Sequence, residues 1–118
     1  FLIDKDFDLS REEINKYFDI IINEINLDKE IKNLNIYKKA LYNSEFASED
    51  EILTILKPII NGDSVWKSHA LFLIGEYFYI RDEKKKSKEF FEKIISLSES
   101  NVNIRIEAEK RIRRDLSE

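Results

Sequence analysis

The chain has 118 residues, a formal net charge of −4, 42% hydrophobic and 37% charged residues. This supports one small domain with a core and a solvated surface, and the acidic balance gives no electrostatic case for nucleic acid. There is no Cys, which excludes disulfides and thiolate chemistry, and two Gly with one Pro favour helices over a turn-rich β fold.

The chain opens on Phe1-Leu2-Ile3 with no capping residue before it. We read this as the tail of a helix in a piece of a longer protein, with any signal or membrane anchor upstream. Helix one is expected from Ser10 to Ile25. Ser10 and Glu13 have the spacing of a capping box, and Ile14, Tyr17, Phe18, Ile21, Ile22 and Ile25 form an apolar stripe. Asp28 is the expected N-cap of helix two, which runs to Phe46 with Ile31, Leu34, Tyr37, Ala40 and Leu41. Ser48 with Glu51 opens helix three, which runs through Ile60 with Pro58 loosening its last turn. Gly62 is placed at a left-handed C-terminal position. Helix four spans 64–80, Arg81-Asp82 is a turn, helix five spans 83–98, and a last helix spans 102–116. The thin apolar stripe of that last helix, Ile104, Ala108 and Ile112, suits a terminal cap.

Helices four and five carry the pattern Leu71-x2-Ile74-Gly75-x2-Phe78-x8-Ser87-x3-Phe91-x2-Ile94. Leu71, Ile74 and Phe78 share one helix face, as do Phe91 and Ile94 on the next. Gly75 inside a strong helical pattern costs about 1 kcal/mol relative to Ala, so a side chain there is expected to obstruct a neighbour. The pattern resembles the tetratricopeptide repeat, a helix-turn-helix unit of about 34 residues. Ser87 stands where that family usually has Ala. A shift of 35 residues sets Ala40 against Gly75, Leu56 against Phe91 and Ile59 against Ile94; Ile52 against Ser87 is the poor match. The resemblance implies an all-α fold: antiparallel helix pairs in a right-handed superhelical repeat, closed by a capping helix. Close contact between Gly75 and Ser87 is expected.

Residues 48–118 also contain Ser48-x2-Glu51-Ile52-Leu53-x2-Leu56-Lys57-Pro58-Ile59-Ile60 and Ser64-Val65-Trp66-Lys67-x2-Ala70-Leu71. These resemble the alphaproteobacterial form of the YfgM-like ancillary subunit family of the SecYEG translocon. In that family a Leu-x-Pro-Leu-Leu stretch precedes Pro-Trp-Arg; here Val65 replaces the Pro and Lys67 the Arg. Residues 26–41 fit more loosely. The resemblance implies a cytoplasmic tail, one membrane helix and a periplasmic domain. It also implies contact with the Sec translocon, periplasmic chaperones and newly exported proteins.

Twelve of the sixteen residues from Val65 to Ile80 are apolar, aromatic or Gly. Such a helix is either central in a stack or has a second face for a partner. In tetratricopeptide geometry Leu71, Ile74, Gly75 and Phe78 point inward, while His69, Phe72, Leu73, Glu76 and Tyr79 line a concave surface with Tyr37 and Leu41. These seven are the candidate protein-binding residues, forming an aromatic rim for an extended peptide. Phe72 and Tyr79 would supply apolar area, and Glu76 would disfavour acidic segments. The competing reading has Phe72 and Leu73 packing on the capping helix or on an upstream repeat, since apolar stripes at helical spacing are commonly core. His69, the lone histidine, has no metal or acid–base partner at local spacing and reads as a groove or surface side chain. Lys84-Lys85-Lys86 and Lys88 interleave with acidic residues, as a salt-bridged solvated face does. Trp66 reads as a packing anchor. No phosphate loop, nucleophile motif or metal set is present, so no cofactor is expected.

The function expected is therefore non-enzymatic protein binding, assisting export in a membrane-anchored periplasmic protein. The alternatives are a generic intracellular, cytoplasmic repeat scaffold unrelated to export and, more remotely, a helical enzyme. Weak self-association is expected at the N-terminal edge, where Ile14, Phe18, Ile21 and Ile25 would lose cover.

Overall fold

The computed structural model describes residues 10–117, and all the regular structure among them is helical. Six helices follow in order: α1 (Arg11–Glu24), α2 (Lys29–Asn43), α3 (Glu49–Ile60), α4 (Lys67–Ile80), α5 (Lys84–Ser96) and α6 (Val102–Asp115). The opening residues 1–9, and the helix tail expected there, lie outside the described residues.

Both capping boxes form. Ser10 Oγ accepts the Glu13 N–H at 3.2 Å and Ser48 Oγ accepts the Glu51 N–H at 3.2 Å, while each glutamate reaches back to its cap backbone. Asn101 caps α6 by accepting the Ile104 N–H at 3.0 Å. Asp28 sits at the N-cap of α2 but makes no side-chain capping bond. Helix α2 stops at Asn43, short of the expected Phe46, because the Phe46 and Ala47 N–H groups turn back to the Asn43 carbonyl. Helix α3 runs through Pro58 to Ile60. Gly62 is not left-handed; no glycine has positive φ, and the one such residue among those described is Asp82, at 60°. Gly62 matters instead for space, since a Cβ there would lie 2.8 Å from the Pro58 carbonyl oxygen.

Helix α4 starts at Lys67, three residues later than expected, because Glu30 holds the preceding turn. The Ser64 hydroxyl donates to Glu30 Oε1 at 2.7 Å and the Val65 N–H to Oε2 at 3.1 Å. The Trp66 indole N–H donates to the Glu30 carbonyl at 3.1 Å. The Ser64 hydroxyl bond leads the lowering of the Glu30 pKa below its ordinary value. Val65 thus uses a backbone N–H that a proline at this position would not have.

Each helix packs on the next in sequence, and α2, α4 and α6 also pack on one another in turn. Several ties join positions about one helix pair apart: Val65 with Glu30, Arg81 with Ser44, and Arg111 with Glu76, at separations of 35, 37 and 35 residues. Helix α4 touches α2, α3, α5 and α6, which is why it is apolar on most sides. Eight of its fourteen residues are buried. One core cluster joins α1–α4 around Ile14, Ile52, Leu56, Ile59, Ile74 and Phe78, and a second joins Leu71, Phe91, Ile94, Ala108 and Leu116.

At the pair α4–α5, Gly75 lies under the Phe91 ring. A Cβ at Gly75 would meet Phe91 Cε1 at 2.8 Å. The buried Ser87 hydroxyl donates to the Gly75 carbonyl at 2.7 Å, so the close contact also carries a hydrogen bond that Ala could not make. At the N-terminal edge, Ile14 and Phe18 are buried, with the Phe18 ring centroid 6.2 Å from that of Tyr42. The side chains left in water there are Tyr17, Ile20 and Ile25, with Ile21 half-buried. On α5, Lys86 pairs with Glu49 at 3.0 Å and Glu83 at 3.5 Å.

Candidate functional site

The seven residues read from the sequence as one concave surface fall into three separate surroundings. Leu41, Leu73 and Glu76 line a groove of about 660 Å³ between α2 and α4, together with Ser44, Glu45, Tyr77, Ile80 and Arg81. Leu73 is buried and forms floor, while Leu41 is 50% and Ile80 77% exposed. Large apolar side chains left in water beside a buried apolar floor are what a binding groove offers.

The end of the groove is built by Arg81. Its guanidinium carbon lies 3.6 Å from the Tyr77 ring centroid, and the group donates to the Ser44 carbonyl at 3.1 Å and the Tyr77 carbonyl at 3.2 Å. The last carbonyls of a helix lack intrahelical donors, so Arg81 both caps the α2 end and fixes the α2–α4 spacing. The Tyr77 hydroxyl donates to the Ala47 carbonyl at 2.6 Å, which ties α4 to the turn after α2.

Tyr37 and His69 form a different group around Trp66. The Tyr37 and Trp66 rings are stacked with centroids 6.1 Å apart, and His69 lies 5.0 Å from Trp66 and 6.0 Å from Tyr37. Burial, and secondarily the charge of Glu76, raises the Tyr37 hydroxyl pKa. Burial lowers that of His69, whose Nδ1 is enclosed without a hydrogen-bond partner among the described residues. His69 is therefore neutral at pH 7. The unfolded chain takes up a proton near the ordinary value of 6.5 that the folded chain resists, so this term rises with pH. Stability should fall as pH drops through 6.5 and level off below the lowered folded value. Thermal melts between pH 7.5 and 5.5 should show the fall in the wild type, and less of it in His69→Gln. Equal slopes would mean that His69 does not contribute. The lowered carboxyl of Glu30 acts only in a more acidic window, below 4.5.

Phe72 and Tyr79 face α6 rather than an open groove. The Arg111 guanidinium carbon lies 4.8 Å from the Tyr79 centroid, 5.3 Å from Phe91 and 6.0 Å from Phe72. Phe72 and Phe91 meet edge to face at 5.0 Å. Both Phe72 and Tyr79 pack against the second core cluster, which is the packing alternative weighed for Phe72. Glu76 is not a free carboxylate either, since Arg111 pairs with it at 3.1 Å.

Sequence reading missed Ile80, Arg81, Tyr77, Glu45 and Arg111, while Ser44 is an expected groove position on helix two. One signal was available: the 35-residue shift that relates α2 to α4 also sets Arg111 opposite Glu76. Ile80 carried none, because α4 is apolar all round and its faces cannot be told apart by periodicity. No protein-family model matches the chain, and no curated protein or solved structure is significantly similar to it. Among the described residues, no group of three or more His, Cys, Asp or Glu could hold a metal ion. No described helix is long and apolar enough to cross a membrane.

Proposed function

We propose that this is a tetratricopeptide-like interaction domain, with helix pairs advancing as a right-handed superhelix, that binds extended apolar-containing segments of other proteins in the α2–α4 groove. The observation that carries this is the coexistence of exposed Leu41 and Ile80 with the buried floor residue Leu73 in one groove. Apolar ligand side chains would sit on these three, with Ser44, Glu45 and the remaining Glu76 acceptor oxygen at the rim. Ordering a flexible ligand over so short an interface limits affinity to the micromolar range or weaker.

The resemblance of residues 48–118 to the YfgM-like family supports newly exported proteins, chaperones or the translocon as the source of such segments. It supports a membrane-anchored, periplasmic setting for the longer protein. The departure at Val65, where an N–H is used, favours the second reading, a repeat scaffold unconnected with export. Sequence upstream of Phe1 separates the two: an apolar span preceded by Lys or Arg fits the first.

The groove itself is tested with labelled extended peptides read by fluorescence anisotropy. Leu41→Asp/Ile80→Asp should weaken binding about tenfold or more, because each removes apolar burial worth more than 1 kcal/mol. Both sites are at least half exposed, so the fold should persist. Ile31→Asp, at an exposed site outside the groove, is the control. Equal binding by all three proteins would place the ligand elsewhere.

A further inference from the structure

The groove between α2 and α4 has two ends, and they differ in chemistry. Arg81 closes one with a fixed charge. At the other stand Tyr37, Trp66 and His69. Tyr37 lies one helical turn before Leu41 on α2, and His69 one turn before the floor residue Leu73 on α4, so the cluster abuts the groove. It also bridges the two helices. The Tyr37 ring of α2 stacks on Trp66 at the start of α4, and His69 meets both rings. His69 is the member that can change charge. It is half-buried, with Nδ1 enclosed and without a hydrogen-bond partner among the described residues. The neutral ring leaves a lone pair unused there. An imidazolium would hold a charged N–H in the same place with no acceptor, which costs far more. Nearby charges do not relieve that cost. From α2, the Glu30 carboxylate is held by Ser64 and Val65. On α4, Lys67 donates to the Gly62 carbonyl and Glu76 is paired with Arg111 of α6, while Glu107 of α6 acts on Arg114. Helices α3 and α5 pack on the far side of α4, where Ile74 and Gly75 lie about 140° and 120° round the helix from His69. Burial is the one cause acting on His69, so no described charge stands close enough to hold its proton.

We propose that His69 is a proton-operated latch on the α2–α4 seam: the neutral ring closes the Tyr37–Trp66 cluster, and the protonated ring turns out to water and frees the Trp66 end of the groove. Because His69 is half-buried, turning out needs a side-chain rotation and no break in the core around Ile74 and Phe78. The closed form resists a proton that the open form takes up near 6.5, so opening is favoured as pH falls below that value and not above it. The ratio of open to closed rises by up to about tenfold per pH unit, until the lowered value of the closed form is reached. Opening removes the end wall beside Leu41 and Leu73, so an apolar ligand is held less well. That last consequence rests on the peptide-binding groove proposed above.

The chain holds one Trp and one His, so each can be followed alone. Acrylamide, a neutral quencher, reports the accessibility of Trp66 without sensing charge. Between pH 7.5 and 5.5 that accessibility should rise at least about twofold in the wild type, with the helical circular-dichroism signal unchanged. In His69→Gln it should not vary with pH, whatever its starting level. The His69 ring, followed by NMR, should titrate below 6.5. Three results would overturn the latch. Trp66 exposure that appears only with loss of the helical signal would be unfolding of the whole chain. A pH response kept in His69→Gln would belong to another group. Titration of His69 at or above 6.5 would mean that the imidazolium is accepted between the rings as a cation–π contact. Anisotropy of the labelled apolar peptides over the same pH range tests the link to the groove. Affinity should fall with pH in the wild type and stay level in His69→Gln. Unchanged affinity while Trp66 opens would overturn the coupling. Peptides that bind at neither pH would overturn the groove reading instead, and the Trp66 measurement still decides the latch.

Discussion

Gly75→Leu is expected to lower the unfolding free energy by about 2–3 kcal/mol, the upper part of the roughly 1–3 kcal/mol typical of forced overpacking. The reason is local and specific. A Cβ at this position would lie 2.8, 2.9 and 3.1 Å from three Phe91 ring atoms, and Phe91 is fully buried. The ring cannot swing aside, because Phe72 meets its face or edge at 5.0 Å and the Arg111 guanidinium lies 5.3 Å from its centroid. Helix propensity alone would favour Leu over Gly by up to about 1 kcal/mol, so the sign of the measured effect separates packing from propensity. Urea unfolding supplies the number. The double variant Gly75→Leu/Phe91→Ala should cost less than the sum of its parts, because the new side chain occupies space the ring vacates. Additive costs would mean that the two positions do not share that space, and an unchanged midpoint for Gly75→Leu would remove the close contact altogether.

Arg111→Ala is the second large effect, expected at about 2 kcal/mol. The Arg111 side chain is 11% exposed and joins three aromatic rings to two carboxylates, Glu76 at 3.1 Å and Asp115 at 3.0 Å. Exposed ion pairs are worth little, and Glu76 is 42% exposed. Most of the loss should therefore come from guanidinium stacking and stem packing. Arg111→Lys keeps the charge but not the planar group, so it should recover only a small part of the loss. Hydrogen exchange should show α6 opening before α4 in the Ala variant. Full rescue by Lys would show that charge, not stacking, docks the last helix.

Much of the chain's organisation was written locally. The Ser10/Glu13 and Ser48/Glu51 spacings placed two helix starts, since a capping box needs only residues three apart. The helical class followed from apolar spacing at three and four residues. Gly75 identified a close approach because a helix tolerates Gly at a cost, and the cost needs a cause. What the sequence could not show was anything set by a distant partner. Helix α4 starts late because Glu30, about 35 residues upstream, holds Ser64 and Val65. Gly62 matters for room beside the Pro58 carbonyl and not for its φ.

The candidate site shows the same division. Local spacing found the apolar residues of α4 but could not sort them, because a helix packed on four neighbours has no polar face to serve as a reference. Tertiary packing did the sorting. Arg111 draws Phe72 and Tyr79 under α6, Trp66 draws Tyr37 and His69 together, and only Leu41, Leu73 and Glu76 remain with Ile80 and Arg81 around an open groove. Sequence by itself determined that this chain forms capped helices with apolar stripes, since those depend on neighbours within about four residues. Which apolar side chains became core and which stayed in water was decided by contacts between residues about one helix pair apart, a distance at which side-chain spacing carries no orientation.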